Sequence, residues 1–436
     1  MNSGQPENQL SAVTKIQSAL SFYGWKLVAV SASMLTLVSL LVFQGAGAYF
    51  HILEVQFGWT RTMLSWAFTL SRAEGAILGP IEGFLIDKVG ARKMVLIGYI
   101  IMALGFFMFS QVQTIWHFYV AFLTISLGSG LGGFLPLITA VNHWFNRKRT
   151  SAMAVTMSGI NLGGLFVPLL ALGLASAGFR WTTGGIACVL LLIAYPAYKF
   201  IRTSPEEYGM TPDGDPQQDI ELPNQDGSTM IDIQGLTARE ALRTSAFWII
   251  TMSNIAAAVP LVSLMVHLVP KLTDMGHSLE QASVIVTVFT LVGIPTVFLA
   301  GYLGDRFPKT VLLFIFMTIQ GLAILVLAVA DNPIWAWVFA PLYGIAFGGR
   351  IPLSTAMRGE YFGRKAFATI MGISQFPSNL AMMLGPVFAG YLFDVQGSYF
   401  TPFMIFAALS FIGGILILFA KQPQVPQSHS LFRGTL

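Results

Sequence analysis

The chain has 436 residues, of which 55% are hydrophobic and only 10% are charged. About a quarter of the residues in an average soluble domain are charged, so this composition excludes a soluble enzyme. It favours a polytopic helical membrane protein, and the single cysteine, Cys188, cannot form an internal disulfide.

Apolar segments along the chain predict twelve membrane-spanning helices. The first twenty residues are polar and lack the apolar core of a signal peptide, so we expect the first helix to target the chain. A helix needs about 20 residues to cross about 30 Å of hydrocarbon, and it satisfies its own backbone polar groups. The predicted spans are 25–50, 62–86, 93–110, 115–143, 150–177, 181–201, 246–270, 280–304, 310–330, 334–358, 366–393 and 399–420.

The basic residues predict an orientation for these helices. Of the 24 Lys and Arg residues, 19 fall on the side of the two termini, three fall on the other side, and Arg72 and Arg350 lie inside helices. The positive-inside rule therefore predicts that both termini are cytoplasmic, in a plasma or inner membrane. The net charge of +4 follows from this topology and does not indicate nucleic-acid binding.

Residues 203–243 differ from the rest of the chain in composition. They carry nine of the twenty acidic residues and four prolines, which predicts a solvated cytoplasmic linker. Thr237 and Glu240 form a capping-box pattern that predicts a short surface helix before the seventh span. The predicted domains are therefore an N-terminal tail (1–24), a six-helix bundle (25–202), the linker (203–243), a second six-helix bundle (244–420) and a C-terminal tail (421–436).

The two predicted bundles contain matching sequences. GGFLPLITA (132–140) in the fourth span matches GGRIPLSTA (348–356) in the tenth at six of nine positions, and GFLIDK (83–88) matches GYLGDR (301–306). This pattern is typical of parallel repeats, in which substrate binds between the two halves and is exposed to each side in turn. Arg350 occupies the position of Phe134 in the first repeat, so the backbone does not require an arginine there.

GFLIDKVGARK (83–93) resembles the loop motif of the major facilitator superfamily, and GYLGDRFPK (301–309) resembles its degenerate partner. WFNRKRTSAMAVTMSGINLGG (144–164) and FYGWKLV (22–28) resemble the monocarboxylate porter and oxalate/formate antiporter branch. The charged pair of animal monocarboxylate carriers is missing from the eighth span. The resemblance implies a transporter with an all-α fold of twelve transmembrane helices in two pseudo-symmetric bundles.

The motif also implies a cytoplasmic gate. Asp87 is expected to face the N-terminus of the eleventh span, where a helix dipole favours an anion. Arg92 and Lys93 are expected to bind acidic or carbonyl partners; the alternative is that this cluster anchors the loop to anionic headgroups. The expected gate residues are Gly83, Asp87, Gly90, Arg92, Lys93, Asp305 and Arg306.

Charges within the predicted spans are candidates for the binding site, because an intramembrane charge costs about 3 kcal/mol or more. Arg72 and Arg350 come from different halves, and a guanidinium is suited to binding a carboxylate. The alternative is a structural ion pair with Glu74 or Glu82. Glu74 is either a proton carrier or a fixed counter-ion, and Glu82 lies near the expected gate.

Uncharged polar residues within the spans complete the candidate substrate site, although each can also act as an interhelical contact. They are Gln44, Asn161, Asn254, Gln375 and Asn379. His143 and His267 lie near span ends and are interpreted as interfacial histidines.

The sequence therefore predicts a secondary active transporter of a small mono- or dicarboxylate, which is proton-coupled or an exchanger. The alternative is a major facilitator transporter of a non-anionic drug-like compound or metabolite, with the arginines in structural ion pairs. An enzyme is disfavoured because no Walker, HExxH, paired-cysteine or nucleophile-elbow motif is present. We expect a monomer in the lipid bilayer, without a cofactor, a metal or a nucleic-acid partner.

Overall fold

The structure is a computed structural model that describes residues 22–59, 61–214, 235–277 and 279–423. These residues are almost entirely helical, and the β-structure among them is limited to one isolated bridge between Gly235 and Gly363. The predicted all-α class is confirmed.

Eight helices in the described part of the first half follow the predicted spans. They are α1 (Tyr23–Val38), α2 (Ala46–Phe57), α3 (Arg61–Val89), α4 (Ala91–Ser110), α5 (Ile115–Gly132), α6 (Phe134–Trp144), α7 (Arg149–Gly163) and α8 (Val167–Phe200).

Three of these predicted spans are interrupted. A π-helical turn, Ser39–Gln44, separates α1 from α2, and a 3₁₀ turn, Gly164–Phe166, separates α7 from α8. Between α5 and α6 the backbone of Gly133 is not helical, and a β-carbon there would lie 2.4 Å from the carbonyl oxygen of Ser129. The fifth and sixth predicted spans meet inside α8 at Gly178, whose positive φ of 79° favours glycine.

The second half contains a short surface helix followed by long helices. They are α9 (Ala238–Leu242), α10 (Ser245–Asp274), α11 (Leu279–Gly304), α12 (Lys309–Ala328), α13 (Ile334–Phe362), α14 (Phe367–Gln396) and α15 (Phe400–Leu418). The capping box predicted at the start of α9 is confirmed, since Thr237 and Glu240 exchange both hydrogen bonds.

Ten helices in the described ranges are long and apolar enough to cross a membrane. The second and fifth predicted spans are not among them. The second, α3, carries Arg72, Glu74 and Glu82 along its length. The fifth is divided by the 3₁₀ turn after α7, so neither part is long enough alone.

The chain folds into two compact units. Within the described ranges, unit one comprises residues 22–71, 89–214 and 301–305, and unit two comprises residues 72–88, 235–300 and 306–423. The core of unit two is built from buried aliphatic and aromatic side chains of α10 to α15, such as Leu264, Phe289, Phe339 and Phe403. Most of α3 therefore packs with the helices of unit two.

The part of 203–243 that the structure describes is anchored at its beginning to unit one. The guanidinium of Arg202 lies 3.9 Å from the ring centre of Tyr23 and 4.1 Å from that of Tyr208. The carboxylate of Asp213 accepts hydrogen bonds from the backbone N–H groups of Asn146 and Arg147, at 2.9 and 2.8 Å. Residues 215–234 of the predicted linker lie outside the described residues.

Candidate functional site

Asp87 in α3 lies at the N-terminus of α14. Its carboxylate accepts hydrogen bonds from the backbone N–H groups of Ala368 and Thr369, at 3.1 and 2.7 Å, and from the Thr369 hydroxyl at 2.6 Å. The first N–H groups of a helix have no partner within the helix, and the helix dipole attracts negative charge. Asp87 therefore fastens α3 to α14 at the helix end that the motif implied.

A row of glycines continues this contact along α3. A β-carbon at Gly83 would lie 2.3 Å from the Ala368 carbonyl oxygen, and one at Gly372 would lie 2.2 Å from the Gly79 carbonyl oxygen. The two backbones therefore touch without intervening side chains. We call this contact, from Gly75 to Asp87 on α3 and from Ala368 to Asn379 on α14, the α3–α14 seam.

Arg72 extends from the same face of α3 as the seam. At 3.6 residues per turn, Gly79 and Gly83 lie within about 20° of Arg72 around the helix axis. The exposed apolar residues Ile77 and Ile81 lie about 140–180° away on the opposite face. Arg72 is exposed and lies about one turn before the packed part of the seam, on the same face of the helix.

Two of the predicted polar residues lie on the same seam. The amide nitrogen of Asn379 is 3.9 Å from the β-carbon position of Gly75, and the Gln375 β-carbon is 3.9 Å from that of Gly79. Both side chains are half-buried. The structure thus brings Gln375 and Asn379 to the same helix pair as Arg72.

Arg350 in α13 lies in a second group within unit two. Its side chain is 3% exposed, and its Nη1 donates a hydrogen bond of 3.3 Å to the Oδ1 of Asn254 in α10. Its Nε is buried without a hydrogen-bond partner. Among the described residues, no carboxylate lies within ion-pair distance of this guanidinium.

Arg358 stands at the predicted end of the tenth span and was therefore not among the predicted site residues. In the structure α13 continues to Phe362, and Arg358 is only 4% exposed. Its Nη1 donates hydrogen bonds to the Ser354 hydroxyl at 2.9 Å and to the Ser354 carbonyl oxygen at 3.3 Å. The spacing of eight residues from Arg350 was the available signal, since it places both on one helix face.

Gln44 and Asn161 form a third group, in unit one. Gln44 closes the π-helical turn after α1, is exposed, and donates a hydrogen bond of 3.5 Å to the carbonyl oxygen of Ile160. Asn161 follows Ile160 in α7 and is half-buried. Within unit two, the contacts described for Arg72 and for Arg350 have no residue in common.

The two glutamates of α3 differ in their surroundings. Glu82 is 9% exposed and lies between Ile81 and Gly83, beside the seam. Glu74 is half-buried and takes part in contacts within the described chain. Neither carboxylate forms an ion pair with Arg350.

Asp305 repeats the arrangement of Asp87 at the other copy of the motif. It follows α11, and its carboxylate accepts hydrogen bonds from the backbone N–H groups of Thr150 and Ser151 in α7, at 2.8 and 3.1 Å. A β-carbon at Gly301 would lie 2.8 Å from the β-carbon of Ala154. Glycine and aspartate thus stand four residues apart at both helix contacts.

The other predicted gate residues have separate positions. The Arg92 Nε donates to the Tyr198 carbonyl oxygen at 2.8 Å, and its Nη1 donates to the Tyr208 hydroxyl at 3.1 Å. Gly90, with a φ of 91°, forms the turn between α3 and α4. Lys93 and Arg306 are exposed.

The two predicted interfacial histidines both contact polar atoms. His267 lies 3.2 Å from the Tyr399 hydroxyl through Nδ1 and 3.0 Å from the Pro386 carbonyl oxygen through Nε2. His143 lies 3.2 Å from the Thr203 carbonyl oxygen.

Curated relatives resemble this chain over most of its length. Bovine monocarboxylate transporter 13 is 26% identical over 408 residues, which cover 91% of this chain and 89% of the relative. Rat monocarboxylate transporter 12 is 22% identical, with 94% and 89% covered. The transporter asaE of Aspergillus flavus is 25% identical, with 80% and 75% covered.

The fold of this chain is similar to those of solved transporter structures. The transporter FucP in its outward conformation has a TM-score of 0.68 at 15% identity, covering 91% of this chain and 99% of FucP. The human organic anion transporter MFSD10 has a TM-score of 0.66 at 14% identity, covering 92% of this chain and 99% of the neighbour. At these identities the likeness shows the fold alone.

The family model of the Major Facilitator Superfamily matches residues 32–279 and 246–434, which together span most of the chain. This match agrees with the paired glycine and aspartate contacts at the two motif copies and with the all-helical fold. The chain is therefore a multi-pass membrane protein that belongs to the Major Facilitator Superfamily, and it is a transporter related to the monocarboxylate transporters.

Proposed function

We propose that this chain is a secondary active transporter of a small organic anion, a mono- or dicarboxylate, and that Arg350 binds the anion. The observation that carries the proposal is the burial of Arg350 with a neutral amide as its hydrogen-bond partner. A buried charge is costly unless it is paired. A carboxylate from the substrate would supply the missing negative charge and the acceptor for Nε.

Arg72, Gln375 and Asn379 are proposed as the second part of the substrate site. Arg72 is exposed on the face of α3 that carries the seam, and the two amides lie further along the same seam. A guanidinium in an aqueous cavity attracts anions and raises their local concentration. Gln44 and Asn161 stay predictions from the sequence.

We propose alternating access as the mechanism, with the contact of Asp87 at α14 and that of Asp305 at α7 as the cytoplasmic gate. Each contact joins a carboxylate to the N-terminus of a helix and places a glycine against a neighbouring backbone. Because no flexible side chain lies between the two backbones, such a contact cannot loosen gradually. The helices are either in contact or apart. Parallel repeats of six helices are built to rock in this way.

The orientation, the coupling and the oligomeric state of the transporter are proposed from the sequence. The charge bias of the loops supports cytoplasmic termini in a plasma or inner membrane. Glu74, inside a membrane-spanning helix, is the candidate for proton coupling, and exchange of one anion for another is the alternative. Both repeats lie in one chain, which supports a monomer as the transporting unit.

Thermal-shift screening of the purified chain against carboxylates tests the proposal. We expect at least one carboxylate to raise the melting temperature of the wild type, and Arg350→Gln to abolish the shift. Arg350→Lys should weaken it, because lysine lacks the planar fork of donors. Stabilisation by a sugar or an organic cation, and by none of the carboxylates, would instead favour a non-anionic substrate.

A further inference from the structure

Arg350, Ser354 and Arg358 form a row along one face of α13, which we call the arginine row. The residues are four apart, so their side chains stand one above the other. Arg358 donates to the Ser354 hydroxyl at 2.9 Å, and that hydroxyl lies 3.5 Å from the Oδ1 of Asn254. Arg350 donates to the same Oδ1 at 3.3 Å. One amide oxygen and one hydroxyl therefore connect the two guanidinium groups.

The arginine row brings two buried positive charges onto one helix face. Arg350 and Arg358 are 3% and 4% exposed, and the Nε atom of each is buried without a hydrogen-bond partner. Among the residues that the structure describes, no carboxylate lies within ion-pair distance of either group. The C-terminal end of α13 offsets part of the charge on Arg358, but like charges in a medium of low dielectric constant still repel.

The internal repeat shows that the helix does not need these charges. Phe134, Ile138 and Asn142 stand in the first repeat where the second has Arg350, Ser354 and Arg358. Both segments are helical in the structure, although the first carries no cation at these positions. A helical backbone at these positions therefore does not require the two arginines.

We propose that Arg350 and Arg358 bind the two carboxylates of one short dicarboxylate, with Asn254 and Ser354 as neutral contacts between them. This inference rests on the proposed anion site at Arg350 and adds the class of substrate. A dianion neutralises both guanidinium groups and gives each free Nε an acceptor. A monocarboxylate neutralises one group and leaves the other buried and uncompensated, so dicarboxylates bind more tightly.

Binding of matched acids to the full-length purified chain tests this inference. The probes are malonate, succinate and glutarate, each compared with the monocarboxylate of equal chain length: propionate, butyrate and pentanoate. Affinities are measured by calorimetry for the wild type, Arg358→Gln and Arg358→Lys. Arg243→Gln is the control, because it removes an exposed arginine of the same unit.

We expect at least one dicarboxylate to bind the wild type about tenfold or more tightly than its matched monocarboxylate. Arg358→Gln should remove this preference, because it should weaken binding of the dicarboxylate and leave binding of the monocarboxylate unchanged. Arg243→Gln should keep the preference. Arg358→Lys retains the charge and should retain part of the preference, which provides a readout if the glutamine variant does not fold.

Two outcomes would overturn the inference while leaving the proposed function intact. One is equal affinity of the wild type for both members of each pair. The other is an equal loss of affinity for the dicarboxylate and the monocarboxylate in the Arg358 variants, which would show that Arg358 has a structural role. Failure of every acid to bind the wild type would instead contradict the proposed anion transport itself.

Discussion

At the scale of single residues, the main feature of this chain is a pair of buried guanidinium groups whose hydrogen-bond partners are uncharged. Arg350 has an amide oxygen as its hydrogen-bond partner, and Arg358 has a hydroxyl and a backbone carbonyl. Removing one partner of a buried ion pair is strongly destabilising, which measures how costly an unpaired buried charge is. Since no carboxylate of the described residues pairs with either group, an anionic ligand would offset this cost.

The two aspartates of the paired motifs should contribute similarly to stability. Asp87→Asn and Asp305→Asn each lose the charge that faces a helix N-terminus and one acceptor oxygen, so each should lower the free energy of unfolding by about 1–2 kcal/mol. Chemical denaturation of the purified variants measures this. Asp394→Asn is the control, because Asp394 is exposed. A change no larger than that of the control would contradict the helix-capping role.

The capping box at the start of α9 should make stability depend on pH. The backbone N–H and the hydroxyl of Thr237 donate to the Glu240 carboxylate, and Lys365 also favours its charged form, which lowers the pKa of Glu240 below 4.5. The stabilisation is therefore complete above the unfolded-state pKa and is lost as the pH falls through the folded-state pKa.

Melting temperatures of the wild type and Glu240→Gln at several pH values check the capping-box prediction. The difference between the two proteins should be largest near neutral pH and should shrink below pH 4.5. A difference that stays constant over this range would show that the charge of Glu240 has no part in the cap.

At the scale of helices, glycine contacts determine which elements can approach closely. A β-carbon at Gly372 would lie 2.2 Å from the carbonyl oxygen of Gly79, so Gly372→Ala forces the α3–α14 seam apart. The expected loss is about 1–3 kcal/mol, which is typical of overpacking.

Gly185→Ala provides the matched control for the seam. Gly185 lies within α8, and a β-carbon there would have no neighbour within 4 Å. Alanine should therefore stabilise this helix by up to about 1 kcal/mol. Thermal unfolding monitored by tryptophan fluorescence distinguishes the two variants. Equal effects of the two substitutions would mean that the seam is not closely packed.

Helix positions were largely predictable from sequence, because lipid requires long apolar segments. In the second half, the spans predicted between 246 and 420 begin and end within four residues of α10–α15. The breaks in the first half were harder to predict. The π-helical turn that ends at Gln44 and the non-helical backbone of Gly133 depend on contacts between residues far apart in sequence. Hydropathy carries no information about such contacts.

The candidate site was only partly predictable for the same reason. Arg350 and Asn254 were both recognisable in the sequence as polar residues within predicted spans. In the structure Arg350 donates a hydrogen bond to Asn254. Arg358 was missed because hydropathy ended the tenth span there, whereas α13 continues for another turn.

For the whole molecule, the central claim is that an organic anion crosses the membrane by binding Arg350. Counterflow of radiolabelled acids in proteoliposomes tests it most directly, with wild type, Arg350→Gln and the control Arg243→Gln reconstituted at equal density. We predict that the wild type and the control exchange at least one of succinate and butyrate, and that Arg350→Gln exchanges neither. Exchange by Arg350→Gln at the wild-type rate would contradict the account.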